Sequence, residues 1–231
     1  MDQAVAIITG AGRGIGRAAA VELSARGYRV GLVSRTAGEL EQTAAMVKQS
    51  LVVPADVSRS EEVNAAVGRV LEAWGRIDAV VHSAGLAPVV PLAEMDEQQW
   101  RAVLDVNLSS AFYMARAVWP AMRRQGGGVL VNLSSLASRD PFAGFGAYGA
   151  AKAALNLLGL VLAREGAPIG VRVHTLALGA TETSMLRALP MQHLIGPERT
   201  MRPQEVARVI ALCVTGELCY TSGEVIYLHR Q

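Results

Sequence analysis

The most constraining stretch lies at the start of the chain. The apolar run Ala4 to Ile8 breaks into Thr9-Gly10-Ala11-Gly12-Arg13-Gly14-Ile15-Gly16 and then into an amphipathic segment reaching about Arg26, with Gly27 just past it. A short apolar run bounded by turn residues reads as a strand buried on both faces. A glycine just past the last periodic residue reads as a helix C-cap. Strand, glycine turn and helix in that order let the backbone pass close to a pyrophosphate. The helix N-terminus turns its unpaired N–H groups and positive dipole end toward such an anion. A glycine turn that only connects a strand to a helix looks the same in isolation, so the rest of the chain decides.

The alternation recurs. Arg29 to Ser34, Leu51 to Pro54, Ile77 to His82, Val129 to Leu133, Val171 to Leu176 and Glu224 to Leu228 read as further strands. Helices are expected over Ala37 to Gln49 with Thr36 as N-cap, Glu61 to Trp74, Gly146 to Arg164 and Pro203 to Val214. The stretch Glu97 to Gln125 reads as one long helix, started by Asp96 and stopped by Gly126-Gly127-Gly128. Successive βα units imply a parallel sheet with helices on both faces. The expected fold is therefore α/β, a Rossmann-type doubly wound sheet of seven strands. With 231 residues, 51% of them hydrophobic, and no internal linker, one domain over residues 1–231 suffices.

Composition narrows the function. A net charge of +2 without a basic run, and 5% aromatic residues, give neither a phosphate-binding stripe nor base-stacking platforms, so no nucleic-acid partner is expected. No stretch reaches the roughly 18 uninterrupted apolar residues of a membrane span. Cys213 and Cys219 do not make a zinc or Cys-x-x-Cys motif, and no metal site is expected. The N-terminus has no charged leader, and the reading is a cytoplasmic protein.

Chemistry concentrates where the strands end. Tyr148 and Lys152, four residues apart on an expected helix, share one face. A phenol titrates near pH ~10, and a fixed ammonium one turn away stabilises its phenolate. Ser135 follows the fifth strand, and Asn107 stands mid-helix, where asparagine is unfavourable unless a local distortion uses it. Ser34 and Arg35 stand where an NAD-selecting fold carries an acid. With Arg13 in the glycine turn, Arg35 suits the extra phosphate of NADP, although either arginine alone reads equally well as a solvated surface residue. Asp56 sits past the third strand, positioned either to meet an adenine amino group or to cap a loop. Ser83-Ala84-Gly85 turns closely at the ligand-binding edge.

Taken in order, these motifs resemble the short-chain dehydrogenase/reductase family, in particular its compact single-domain 3-oxoacyl-thioester and carbonyl reductases, over nearly the whole chain. The resemblance implies that Asn107, Ser135, Tyr148 and Lys152 form the catalytic set. Tyr148 is the general acid/base, Lys152 lowers its pKa and holds the nicotinamide ribose, Ser135 orients the carbonyl, and Asn107 holds a proton-relaying water. It implies cofactor contacts from Gly10, Arg13, Gly14, Ile15, Gly16, Ser34, Arg35, Asp56, Val57, Ala84, Gly85, Tyr148, Lys152 and Thr183, with NADP(H) preferred over NAD(H). Where the family has Asn-Asn-Ala-Gly this chain has His82-Ser83-Ala84-Gly85, and His82 reads as a hydrogen-bonded structural replacement. Its Pro-Gly becomes Leu178-Gly179, and the asparagine before it becomes His174, with the nicotinamide loop expected to shift. The C-terminus lacks the usual Asp-Gly-Gly.

The expected partner is a small carbonyl or alcohol substrate, mainly apolar. It would be covered by a flap at about 183–203 carrying Met185, Leu186, Leu189, Pro190, Met191, Leu194 and Ile195, and flanked by Phe142 and Phe145. Arg139 or Arg187 is available to an anionic end. Apolar residues around the Glu97–Gln125 and Gly146–Arg164 helices imply a homodimer or homotetramer. The alternative is a catalytically idle dinucleotide-binding sensor or scaffold, which needs the glycine turn but not the tetrad.

Overall fold

The computed structural model describes residues 3–190, 193 and 195–230. Seven parallel strands form one sheet in the order β3-β2-β1-β4-β5-β6-β7. They are β1 (Val5–Thr9), β2 (Arg29–Ser34), β3 (Ser50–Pro54), β4 (Ala79–His82), β5 (Gly128–Ser135), β6 (Val171–Leu178) and β7 (Val225–Leu228). The order reverses between β1 and β4, which pair from Ala6↔Ala79 to Thr9↔His82. A reversal of this kind opens a crevice at the C-terminal strand ends.

Side chains alternate across the sheet and build two cores. Ala6 and Ile8 of β1 join Leu23 of α1 (Gly14–Ala25), Leu40 of α2 (Ala37–Ala44) and, further along the chain, Ile210 of the last helix on one face. Val5 and Ile7 join Val63 of α3 (Ser60–Trp74) on the other, together with Met114 and Leu162 of the two longest helices. The full burial of β1 explains its unbroken apolar run.

Two expected helices are corrected. The helix expected to reach Gln49 ends at Ala44, because Ser24 of α1 accepts the Lys48 N–H at 2.9 Å and pulls the chain out of helical register. Thr36 occupies the N-cap position without a side-chain bond, whereas Asp96 and Gln99 form a reciprocal capping box. The expected single helix from Glu97 to Gln125 is split into α4 (Glu97–Leu104), a π-helical turn (Asp105–Ser109) and α5 (Ser110–Gln125). Asn107 lies inside that turn.

Helix α6 (Gly146–Gly166) and the 3₁₀ turn after it, Gly146–Ile169, are long and apolar enough to cross a membrane by length and composition alone. Buried Ala151, Leu155 and Leu162, with Lys152 buried among them and hydrogen-bonded to β5, mark it instead as a core helix of the sheet. A short α7 (Ser184–Arg187) and α8 (Pro203–Thr215) complete the helices used below.

Candidate active site

The glycine turn is shaped by close approach. Gly10 and Gly14 have φ of 63° and 55°, which L side chains rarely adopt, and a Cβ on Gly16 would be driven into the Gly10 carbonyl. The turn's carbonyls are held from behind, since Arg17 donates to Gly12 and the Thr43 hydroxyl donates to Ala11 at 2.9 Å. The first turn of α1 contains no acid, so its N-terminus is suited to an anion. Ile15 packs on the core, and the Thr183 methyl lies 3.2 Å from where a Gly14 Cβ would stand. Thr183 also caps α7, accepting the Leu186 N–H at 3.2 Å.

At the end of β2, the Ser34 hydroxyl is buried without a hydrogen-bond partner among the described residues. Arg35 is exposed and lines a cavity of about 560 Å³ with Asp56, Ser58, Leu86, Arg101 and Asp105. Asp56 accepts from the Ser58 N–H at 3.0 Å and its hydroxyl at 2.7 Å. Burial opposes ionisation of Asp56, yet these bonds and the charges of Arg35 and Arg59 hold its carboxyl below the ordinary value. It thus caps its loop and faces the cavity at once. Val57 is buried in the core beneath.

A relay of hydrogen bonds sets the next loop. Thr9 Oγ1 accepts the Ser83 and Ala84 N–H groups, both at 3.1 Å, so its own proton goes to His82 Nδ1 at 3.2 Å. His82 Nε2 then donates to Ser110 Oγ at 3.0 Å, and Ser110 donates to the Val106 carbonyl at 2.6 Å. Only the neutral Nε2–H tautomer satisfies every partner. Burial, followed by the Lys152 charge, accordingly holds the imidazole down to about 3. A π-helical turn leaves carbonyls without their usual partners; here Ser110 takes Val106 and Asn107 Nδ2 takes Val103 at 2.8 Å. Asn107 also grips Leu86 through both its N–H, at 3.2 Å, and its carbonyl, at 2.7 Å. Ala84 packs on Gly10, and Gly85 sits with Asn107 Oδ1 and Met185 beside it.

Tyr148 and Lys152 share one face of α6 as their spacing requires. Lys152 Nζ donates to the Leu133 carbonyl at 2.8 Å and lies 5.6 Å from the Tyr148 ring centroid. Burial pulls the Lys152 ammonium down to about 7. Burial raises the Tyr148 phenol above its ordinary value, only partly offset by the Ser135 hydroxyl beside it. The direction is thus the opposite of the expected lowering, and burial is its main cause. Ser135 Oγ also accepts the Ala137 N–H at 3.1 Å. From Tyr148 an aromatic row runs outward through Phe145, 5.5 Å away between centroids, to Phe142 at 6.2 Å, and Phe142 is 60% exposed. Leu92, 59% exposed, presses on Gly146, and Met185, 40% exposed, reaches toward Gly85.

Other expectations change. Arg187 is committed to Glu182 by two bonds and to the Ile195 carbonyl at 3.3 Å, so it is not free for a substrate anion. Arg139 stacks on Tyr227, 4.7 Å from its centroid. His174 does not shape a loop near the site; it is buried in β6, and its Nδ1 donates to Thr221 at 3.0 Å. Gly179 abuts His229 of the C-terminal tail and donates to the Leu228 carbonyl at 2.8 Å. The Met201 N–H and carbonyl bond Ala180 and Glu182, closing the base of the 183–203 segment, of which Met191 and Leu194 lie outside the described residues. Sequence reasoning misses Arg17, Thr43 and Ser110, and the polar residue at i+3 from Asn107 is the one available signal.

A parallel sheet reversing at β1/β4, with this turn and this Ser-Tyr-Lys edge, defines a nicotinamide-dinucleotide oxidoreductase fold. The short chain dehydrogenase family model matches residues 4–193, and the chain belongs to that family. It is 35% identical to the short-chain reductase protein NovJ of Streptomyces niveus, over 98% of this chain and 92% of that protein. It is 31% identical to the 3-oxoacyl-[acyl-carrier-protein] reductase FabG of Staphylococcus epidermidis, over 97% and 96%. The crystal structure of levodione reductase superposes with a TM-score of 0.93 at 28% identity, covering 98% of this chain and 96% of that one. Family members use nicotinamide cofactors, and the unpartnered Ser34 hydroxyl, the close-approach glycines and the acid-free α1 N-terminus fit such a group.

Proposed function

We propose that this protein is an NADP-dependent reductase of mainly apolar carbonyl compounds, with 3-oxoacyl thioesters among the candidates. The observation that carries the reading is the placement of Tyr148 beside Ser135 and Lys152 at the head of the Phe145–Phe142 wall.

The Gly10–Gly16 turn, with Arg13, Gly14 and Ile15, would hold the pyrophosphate. Ser34 and Arg35 would take the adenosine ribose and its phosphate, Asp56 and Val57 the adenine, and Ala84, Gly85 and Thr183 the nicotinamide half. When bound, the nicotinamide supplies the hydride that the carbonyl carbon receives. Ser135 holds the carbonyl oxygen, and Tyr148 gives it a proton. A phenol held above its ordinary value keeps its proton at neutral pH and gives it up less readily, so the Lys152 charge is needed for the transfer. Lys152, 5.6 Å from the ring centroid, stabilises the phenolate left behind. Both N–H groups of Asn107 are used on Leu86 and Val103, so a water there must bond its Oδ1 or the backbone.

The exposed Phe112, Leu157 and Val161 on α5 and α6 support a second copy of the chain against that face. Free Cys213 and Cys219 are consistent with work in the cytoplasm.

The test is NADPH consumption with matched ketones and 3-oxoacyl thioesters of increasing chain length. Each buried methylene contributes about 0.8 kcal/mol, so kcat/KM should climb several-fold per carbon until the wall is covered. A series in which polar sugars are turned over best would reject the substrate class. Tight NADPH binding with no turnover on any member would favour the sensor or scaffold.

A further inference from the structure

The acid absent directly after β2 enters the site from a different element. Glu39 stands in the first turn of α2, where a carboxylate is favoured by the helix dipole, and its neighbour Leu40 is buried in the core and fixes its direction. A Cβ added to Gly12 would lie 2.8 Å from Glu39 Cβ, 3.0 Å from Glu39 Oε2 and 3.3 Å from the unpartnered Ser34 hydroxyl. The carboxylate thus lies against the glycine turn beside Ser34. Glu39 Oε1 is also 3.8 Å from the Arg13 guanidinium. Arg35, by contrast, has no ion pair among the described residues.

We propose that Glu39 is a specificity-determining residue that limits affinity for a 2′-phosphorylated adenosine by engaging Arg13. The proposal rests on the NADP reading above and deepens it. A 2′-phosphate meets an Arg35 that has no ion pair within 4 Å, only the more distant charge of Asp56, but must draw Arg13 away from Glu39. The two arginines are therefore unequal, and the preference for NADP(H) over NAD(H) is smaller than two free guanidinium groups would give. With Arg13 and Glu39 side chains 65% and 35% exposed, the restraint is weakened by salt.

The experiment titrates adenosine 2′,5′-bisphosphate and AMP calorimetrically into the full-length wild type, Glu39→Gln, Glu39→Asp, Arg35→Ala and the Arg13→Ala/Glu39→Gln double variant. Removing one partly exposed charge should tighten the bisphosphate about two- to five-fold at low ionic strength, with AMP unchanged. Glu39→Asp should keep the wild-type affinity, the double variant should lose the gain, and 0.5 M salt should shrink it. Equal bisphosphate affinity in wild type and Glu39→Gln, or a gain that survives without Arg13, overturns the assignment while leaving the NADP reading intact. Failure of that reading has a different signature. The wild type would bind AMP as well as the bisphosphate, Arg35→Ala would change neither, and Glu39→Gln would weaken AMP. The carboxylate would then be a ribose ligand, and both proposals would fall.

Discussion

Replacing His82 by asparagine should make the protein less sensitive to acid, and the size of the change follows from the relay around the imidazole. His82 is neutral because Thr9 donates to its Nδ1 and its Nε2–H is given to Ser110, with burial holding it down to about 3. An unfolded histidine titrates near ~6.5. Between those values the unfolded chain binds the proton that the folded chain refuses, so stability is full above about pH 6.5 and falls as pH drops toward 3. At pH 5 the gap of about 1.5 units from the unfolded value corresponds to a loss of about 2 kcal/mol. His174, held down to about 4 by burial and the Arg172 charge, acts in the same direction and adds a similar amount at pH 5. Lys152, at about 7, also loses stabilisation on acidification, but it does so in the variant as well and cancels in the difference.

The assay is urea denaturation at fixed protein concentration, at pH 7.5 and pH 5. The wild type should lose about 2 kcal/mol more than His82→Asn across that interval. At pH 7.5 alone the variant should be weaker by about 1 to 3 kcal/mol, the cost of leaving buried partners such as Ser110 unpaired. The same acid loss in both proteins would refute the neutral-imidazole relay.

Gly16→Ala should lose dinucleotide binding and about 1 to 3 kcal/mol of stability, because the new methyl meets the Gly10 carbonyl; thermal melts and a binding titration check both. Arg35→Ala should weaken NADPH by about 1.5 to 3 kcal/mol while sparing NADH, measured as dissociation constants. Sedimentation at micromolar concentration should show a dimer or tetramer. A 24.4 kDa species would remove the role given to Phe112, Leu157 and Val161.

The seven strands and the shared helix face of Tyr148 and Lys152 were legible because both depend on local pattern: buried strands read as apolar runs, and one helical turn separates the tyrosine from the lysine. What escaped depends on contacts between distant segments. An apolar period continues across the π-helical turn, so residues 105–109 look like ordinary helix, and only the misplaced Asn107 marked them. Glu39 is not legible as a neighbour of Arg13 because it reaches the glycine turn from the start of a helix and not from the strand end. Register also decided His174. Paired with Val131 in the middle of the sheet, it points into the core toward Thr221 and away from the ligand edge. Lys152 was expected to depress the Tyr148 pKa, but pattern carries no information on how deeply a pair is desolvated.

The claim that Tyr148 is the proton donor is tested most directly by Tyr148→Phe, assayed for turnover and NADPH affinity in the same preparation. Loss of the hydroxyl should lower kcat by roughly 10² to 10⁴-fold and leave the NADPH dissociation constant near that of the wild type. Turnover within a few-fold of the wild type would contradict it.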